Sequence, residues 1–234
     1  EPTTVTTADA IPKPTEHASL IGCSAKMHDV YKSIGKVAPQ NVPVLIRGES
    51  GTGRQRVAQS IHRYSPRSEH PFVVVDCAAL PATLLENELF GCEDRWSGGT
   101  GTVRKGKCEL HSGGTLYLNE IGDMEPPTQG KLLRLLQEQK FERVGGQELV
   151  DSIVRVIGAC TRLLEQMVAA GTFGQDLYYQ LNVFTFDLPS LRQRRSDIPL
   201  LAEYFLAQFN QHLDTDVHGI SPDAMQLLLD YPWP

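Results

Sequence analysis

Cysteine is scarce and scattered. The five residues Cys23, Cys77, Cys92, Cys108 and Cys160 are odd in number, lie far apart and include no C-x-x-C pair. That excludes a disulfide framework and offers no ligand spacing for zinc, so reduced thiols in a cytosol-like compartment are expected. Long apolar runs are missing as well: nothing approaches the ~20 residues of a membrane-spanning helix, and no charged-then-apolar leader opens the chain, which predicts a soluble, cytoplasmic protein with no membrane partner. An excess of basic residues is absent, with 22 Lys and Arg against 28 Asp and Glu and a net charge of -6. A broad nucleic-acid surface on this segment is therefore disfavoured, and any DNA contact is left to a domain outside it. The seven histidines show no paired spacing and none is assigned a catalytic role. There is no internal repeat.

What is present is a core. With 41% hydrophobic residues over 234 positions, the chain can bury one large domain or one and a half. Residues 1–18, EPTTVTTADAIPKPTEHA, are rich in Thr and Pro and read as an interdomain linker. From Leu20 the composition turns globular. SAKMHDVYKSIGKVA predicts a helix with Ser24 as its cap and Met27, Val30, Tyr31 and Ile34 on one face. Five apolar runs read as strands: VPVLIR, PFVVVDC, GGTLYLNE, SIVRVIGAC and VFTFDLP. Helical patterns separate them, the signature of an α/β fold with a mostly parallel sheet covered on both faces. Beyond Pro189 the pattern becomes helical, with one helix opening at Asp197 and another capped by Ser221 ahead of Pro222. KLLRLLQEQ is core-facing amphipathic packing.

The stretch GESGTGRQRVA follows the first strand and enters a helix, with Gly48 and Gly53 at the spacing of a phosphate-binding loop, G-x-x-x-x-G-K-[ST]. The residues between them, Glu49, Ser50, Gly51 and Thr52, complete the loop, but Arg54 stands where the lysine reaches the terminal phosphates, and Gln55 offers no hydroxyl to magnesium. A second element, GGTLYLNEIGDM, has the shape of a strand ending in metal-holding and base residues, here Asn119 and Glu120.

The ordered series ELFG, GGTLYL-EIGDM, KLLRLLQE, FERVGG, DLYY-LNVF and LPSLRQRRSDIPLLAEYFL covers nearly the whole chain. From Leu20 to Pro234 it resembles the central AAA+ domain of the bacterial enhancer-binding proteins that remodel sigma-54 RNA polymerase. The resemblance implies a P-loop NTPase fold with a five-stranded mostly parallel sheet at residues 19–190 and a helical lid at residues 191–234, breaking off at DYPWP. It also implies ring assembly, sigma-54 as partner and a DNA-binding domain elsewhere. Against the family pattern, Lys becomes Arg54, Glu becomes Gln55, and the Walker B acid becomes Asn119 while the base Glu120 is kept. The Asn coupled to that Glu becomes Asp76, the sensor Asn becomes Thr161, and two arginines that reach a neighbouring subunit's nucleotide become Gly174 and Gln180. Where the family carries its GAFTGA sigma-contact loop, this chain has Asp94, Arg95, Trp96, Ser97, Gly98, Gly99, Thr100, Gly101 and Thr102, with Trp96 either an aromatic anchor for another partner or an exposed loop residue.

Three readings follow from these departures: a folded but catalytically silent AAA+ regulatory module, a weak ATP-dependent sigma-54 activator still using Glu120, or an interaction scaffold unrelated to transcription. The first is favoured, because packing motifs persist while seven catalytic positions change, and decay would have erased both. It predicts weak binding of ATP or ADP, no competent magnesium site, and a monomer or small ATP-independent oligomer. The basic cluster Arg192 to Arg195 reads as a subdomain hinge or nucleotide-edge loop.

Overall fold

A computed structural model describes residues 20–93 and 103–234. The Thr/Pro-rich segment 1–18 and the Gly-rich segment Asp94 to Thr102 lie outside the described residues.

Helix α1 (Ala25–Val37) forms where the sequence places it, with Ser24 accepting a hydrogen bond from the Met27 amide at 3.4 Å and Met27, Val30, Ile34 and Val37 as its buried stripe. Then come β1 (Val44–Arg47), α2 (Arg54–Arg63), β2 (Phe72–Asp76) and α3 (Ala82–Phe90). Strands β3 (Gly91–Glu93) and β4 (Val103–Lys105) pair antiparallel, and α4 (Lys107–Leu110) leads to β5 (Thr115–Asn119). Helix α5 (Pro126–Glu138) precedes a second antiparallel pair, β6 (Lys140–Glu142) and β7 (Leu149–Asp151). The layered part closes with β8 (Arg155–Cys160), α6 (Leu164–Ala169), α7 (Gln175–Leu181) and β9 (Thr185–Asp187). Two helices follow, α8 (Ile198–Leu213) and α9 (Pro222–Asp230), the latter capped by Ser221.

The main sheet has five strands in the order β2-β5-β8-β1-β9, and every pairing is parallel. Alternation along each strand sorts side chains to two cores. Leu45, Leu116, Leu118 and Val156 face the cluster completed by Leu85, Leu132, Leu135 and Leu177. Val44, Ile46, Tyr117 and Ile157 face the one completed by Val30, Ile34, Val57 and Ile61. Helices α1 and α2 thus cover one face, and α3, α5 and α7 the other. All five strands read from the sequence form, β1 and β8 shorter at the start and the other three at both ends. The two antiparallel pairs went unread because three-residue strands carry too little alternation to register.

One charged residue sits inside the fully buried β8. Arg155 spends its guanidinium on the carbonyls of Val37, Ala38 and Val42 at 2.8, 2.9 and 3.3 Å, closing the C-terminal end of α1. Burial pushes its pKa down to about 10.

The helical part is tied back by Asp197, which is wholly buried at the start of α8. Its carboxylate accepts from the Cys23 amide at 2.7 Å, the Ser24 amide at 2.8 Å and the Ser24 hydroxyl at 2.7 Å. Burial opposes the ionised form, and the bonds from Ser24 and Cys23 outweigh it, so its pKa lies below the ordinary value. A depressed folded pKa adds stability that is complete above the unfolded value of about 3.9 and vanishes as pH falls through the folded one. Asp197→Ala should therefore cost about 2–4 kcal/mol at neutral pH in urea denaturation, and the gap from the parent should narrow below about pH 4.

Candidate functional site

The chain leaves β1 for the far edge of the sheet and later crosses from β8 to β9 on the other side of β1. In open parallel sheets, connections that diverge in this way leave a crevice at the strands' carboxyl ends. There the structure gathers the Gly48 loop after β1, Asp76 at the end of β2, Asn119 and Glu120 at the end of β5, and Thr161 after β8.

The loop is held by its own backbone. The Gly48 amide donates to the Cys160 carbonyl at 3.3 Å, and the Glu49 carbonyl accepts from the Thr52 hydroxyl at 2.7 Å. A side chain at Gly48 would meet the Thr52 hydroxyl oxygen at 2.8 Å, so close approach requires glycine there. Gly53 requires it for another reason: its φ of 98° is left-handed. Gly53 also caps α2 without any side-chain acceptor, leaving the first-turn amides free to receive an anion. Around Gly51 and Gly53 an added methyl would meet nothing within 4 Å, so the cradle opens onto free space. Ser50 and Gln55 are exposed.

Arg54 is not free to reach outward. It is 7% exposed, and its Nη2 donates to Glu120 Oε1 at 2.5 Å while its Nη1 donates to Thr161 Oγ1 at 2.9 Å. Thr161 returns both its hydroxyl, to Oε1 at 2.7 Å, and its amide, to Oε2 at 3.0 Å. Both Glu120 oxygens are thereby engaged. The geometry depends on a backbone that few non-glycine residues adopt: Glu120 has φ 49° and ψ 52°, which turns the chain out of β5 and toward the end of β8. Burial works against its charge, and the hydrogen bonds from Arg54 and Thr161 more than compensate, holding the carboxyl below its usual range.

Asp76 and Asn119 are register partners on neighbouring strands, and the Asn119 amide donates to Asp76 Oδ2 at 2.8 Å. The other Asp76 oxygen accepts from the Ala78 amide at 3.0 Å, and the Asn119 oxygen accepts from the Tyr117 hydroxyl at 3.3 Å. No hydrogen bond among the described residues joins Asp76 to Glu120. Magnesium takes hard oxygen ligands, from the protein usually one or two carboxylates. The donor set here does not fit it, because an amide replaces the strand-end acid, that amide's oxygen is occupied, and Glu120 is paired with Arg54.

The basic cluster near residue 192, read from the sequence as a subdomain hinge or nucleotide-edge loop, closes over the Gly48 loop. Arg192 grips Glu49 with one nitrogen at 2.5 and 2.7 Å and the carbonyls of Pro232 and Trp233 with another. Buried Arg194 donates to the Thr52 carbonyl at 3.0 Å. Gly174 and Gln180 lie at the start and near the end of α7, where the Gly174 amide donates to buried Gln129 at 2.7 Å. No hydrogen bond among the described residues links either position to the Arg54 network. The segment Asp94 to Thr102, expected to be the partner loop, lies outside the described residues.

A parallel five-stranded sheet with a glycine loop at its switch point and a helical lid defines an AAA+ P-loop NTPase domain. The P-loop NTPase domain of a sigma-54 activator from E. coli shares the fold, at 21% identity and a TM-score of 0.51. Residues 20–187 match the sigma-54 interaction domain, and residues 192–234 match an AAA+ ATPase lid domain. The chain belongs to the sigma-54 interaction domain family. It is 47% identical to the Nif-specific regulatory protein of Herbaspirillum seropedicae and 48% identical to the transcriptional regulatory protein ZraR of Escherichia coli, with 92% of the chain covered in each case. It spans 40% and 49% of those two proteins, so about half or less of their length. NtrX from Brucella abortus, crystallised in complex with ADP, matches at 40% identity and a TM-score of 0.86, over 92% of this chain and 47% of that one. No helix among the described residues is long and apolar enough to cross a membrane.

The Arg54 network has a pH signature. With its pKa depressed, Glu120 contributes stability that is full above the unfolded value of about 4.3 and is lost as pH falls through the folded value. Arg54→Met leaves the half-buried carboxylate without its cation and should cost about 1–3 kcal/mol at pH 7. Thermal melts across pH should show that loss shrinking in acid, as Glu120 protonates in both proteins.

Proposed function

We propose that this chain is the AAA+ domain of a bacterial sigma-54-type transcription regulator that keeps a nucleotide cradle but does not turn ATP over. The observation that carries this reading is the 2.5 Å contact between Arg54 and Glu120, with Thr161 donating to both oxygens of Glu120 as well. A general base must present an oxygen to the attacking water, and here both oxygens already accept hydrogen bonds from the protein. The cation that should meet the terminal phosphates is spent on the same carboxylate. Without arginines at Gly174 and Gln180, a neighbouring subunit supplies no finger either, an absence worth about 10³ to 10⁵ in rate, or roughly 4–7 kcal/mol of barrier.

Residues Gly48 to Gln55, with Asn119 beside them, form the nucleotide-contacting set in this reading, and the crystallisation of the related NtrX in complex with ADP and with ATP supports nucleotide binding. Residues 1–18 serve as a linker, 19–190 as the α/β subdomain and 191–234 as the lid. The protein works in the cytoplasm, reaches DNA through a domain outside this chain, and stays a monomer or small oligomer whether or not ATP is present. Light scattering with and without ATP should give the same mass, and growth to a six- or seven-membered ring would contradict this.

Turnover decides the central claim. Phosphate release should not exceed the buffer rate, whereas release that scales with protein concentration and disappears in Glu120→Gln would establish an active ATPase. The sigma contact is tested separately on native gels with ADP and aluminium fluoride. Asp94 to Thr102 lacks the family's contact sequence, so no sigma-54 complex should form, and one that forms and is lost in Trp96→Ala would make the segment an alternative docking element.

A further inference from the structure

We infer that the cradle takes a nucleoside diphosphate without a divalent cation, and that the Arg54–Glu120 pair sets this preference. The inference rests on the reading of the Gly48 loop as a nucleotide site.

Every acid around the loop already has a partner. Glu120 is held by Arg54 and Thr161, Glu49 by Arg192, and Asp76 by the Asn119 amide and the Ala78 amide. To gain a protein carboxylate, a magnesium ion arriving with a nucleotide would have to exchange water for an oxygen already engaged, since the oxygen of Asn119 is neutral and accepts from Tyr117. That exchange returns little, because the ion gives up well-bound water for a partly engaged ligand. The free nucleotide faces no such obstacle.

The number of phosphates follows from the same pairing. The loop amides and the start of α2, uncapped at Gly53, can receive the two phosphates of a diphosphate through backbone donors and the helix dipole, as a P-loop backbone cradles the α- and β-phosphates. A further phosphate needs a side-chain cation, and the buried Arg54 is committed to Glu120. The extra charge would instead approach Glu120 and Asp76, a like-charge arrangement in a partly desolvated crevice. The placement of Asp on β2 and Asn on β5 belongs to this design: the two are hydrogen-bonded to each other, and the strand end that would hold a metal carries no carboxylate.

Calorimetric titration of the 234-residue chain with ADP and with ATP, each in EDTA and in millimolar magnesium, tests the inference. ADP affinity should agree within about threefold between EDTA and magnesium, and ADP should bind at least about tenfold tighter than ATP. Tightening of either nucleotide by magnesium beyond about tenfold, or ATP binding as tightly as ADP, overturns it. Absence of binding by both nucleotides under both conditions overturns the nucleotide reading itself. Two variants, each checked for an intact thermal transition, locate the cause. Glu120→Gln releases Arg54 and should bring ATP close to parity with ADP; an unchanged preference removes the pair as its determinant. Asn119→Asp combined with Asp76→Asn should introduce magnesium dependence, and failure to do so shows that the strand-end donor set is not what excludes the metal.

Discussion

A guanidinium at the foot of a helix, almost wholly out of water, has to find a counter-charge, and that constraint organises the site. Arg54 opens α2 and cannot reach solvent, so its charge is tolerable only because Glu120 stands 2.5 Å away. Glu120 is there only because its backbone takes a left-handed conformation at the end of β5. Thr161 completes the arrangement from β8, which lies between β5 and β1 in the sheet. Three strands that are distant in sequence thus deliver one hydrogen-bonded unit. The strain at Glu120 persists because three donors converge on its carboxylate.

The lid is coupled to the same loop by contacts of unequal weight. Arg192 and Glu49 form a bidentate pair, but their side chains are 39% and 49% exposed, so solvent screens it to a modest contribution. Arg194 on Thr52 and Asp197 on the Cys23–Ser24 turn are buried, and removing either leaves backbone groups without partners. Lid position is therefore fixed mainly at the hinge. One short stretch, Arg192 to Asp197, holds the residues before α1, the phosphate loop and the lid in a single arrangement.

Chemically, the charged and polar groups of the site satisfy one another. Arg54 is paired with Glu120, and Asp76 with Asn119, within the protein. The self-pairing accounts for how the altered residues coexist with an intact fold. Asn119 beside Asp76 is a good hydrogen-bonded couple, whereas two carboxylates in that register would repel. The substitutions suit one another as well as the scaffold.

The sequence by itself determined the strands, the capped helices at Ser24 and Ser221 and the glycine loop, because alternation, caps and left-handed glycines are local properties, whereas Asp76 and Thr161 were named as site positions only through the family resemblance. It also marked Arg54 and Asn119 as departures from the family pattern. Which partners those departures would choose was decided by tertiary structure alone. Nothing local says that Arg54 turns inward to Glu120, that Asp76 couples to Asn119 rather than to Glu120, or that Arg192 reaches Glu49. Those bonds depend on strand order, register and lid placement, which bring together side chains 43 to 143 residues apart. A single residue's type fixes what it can donate or accept, and only the assembled sheet fixes which acceptor lies within 3 Å of it.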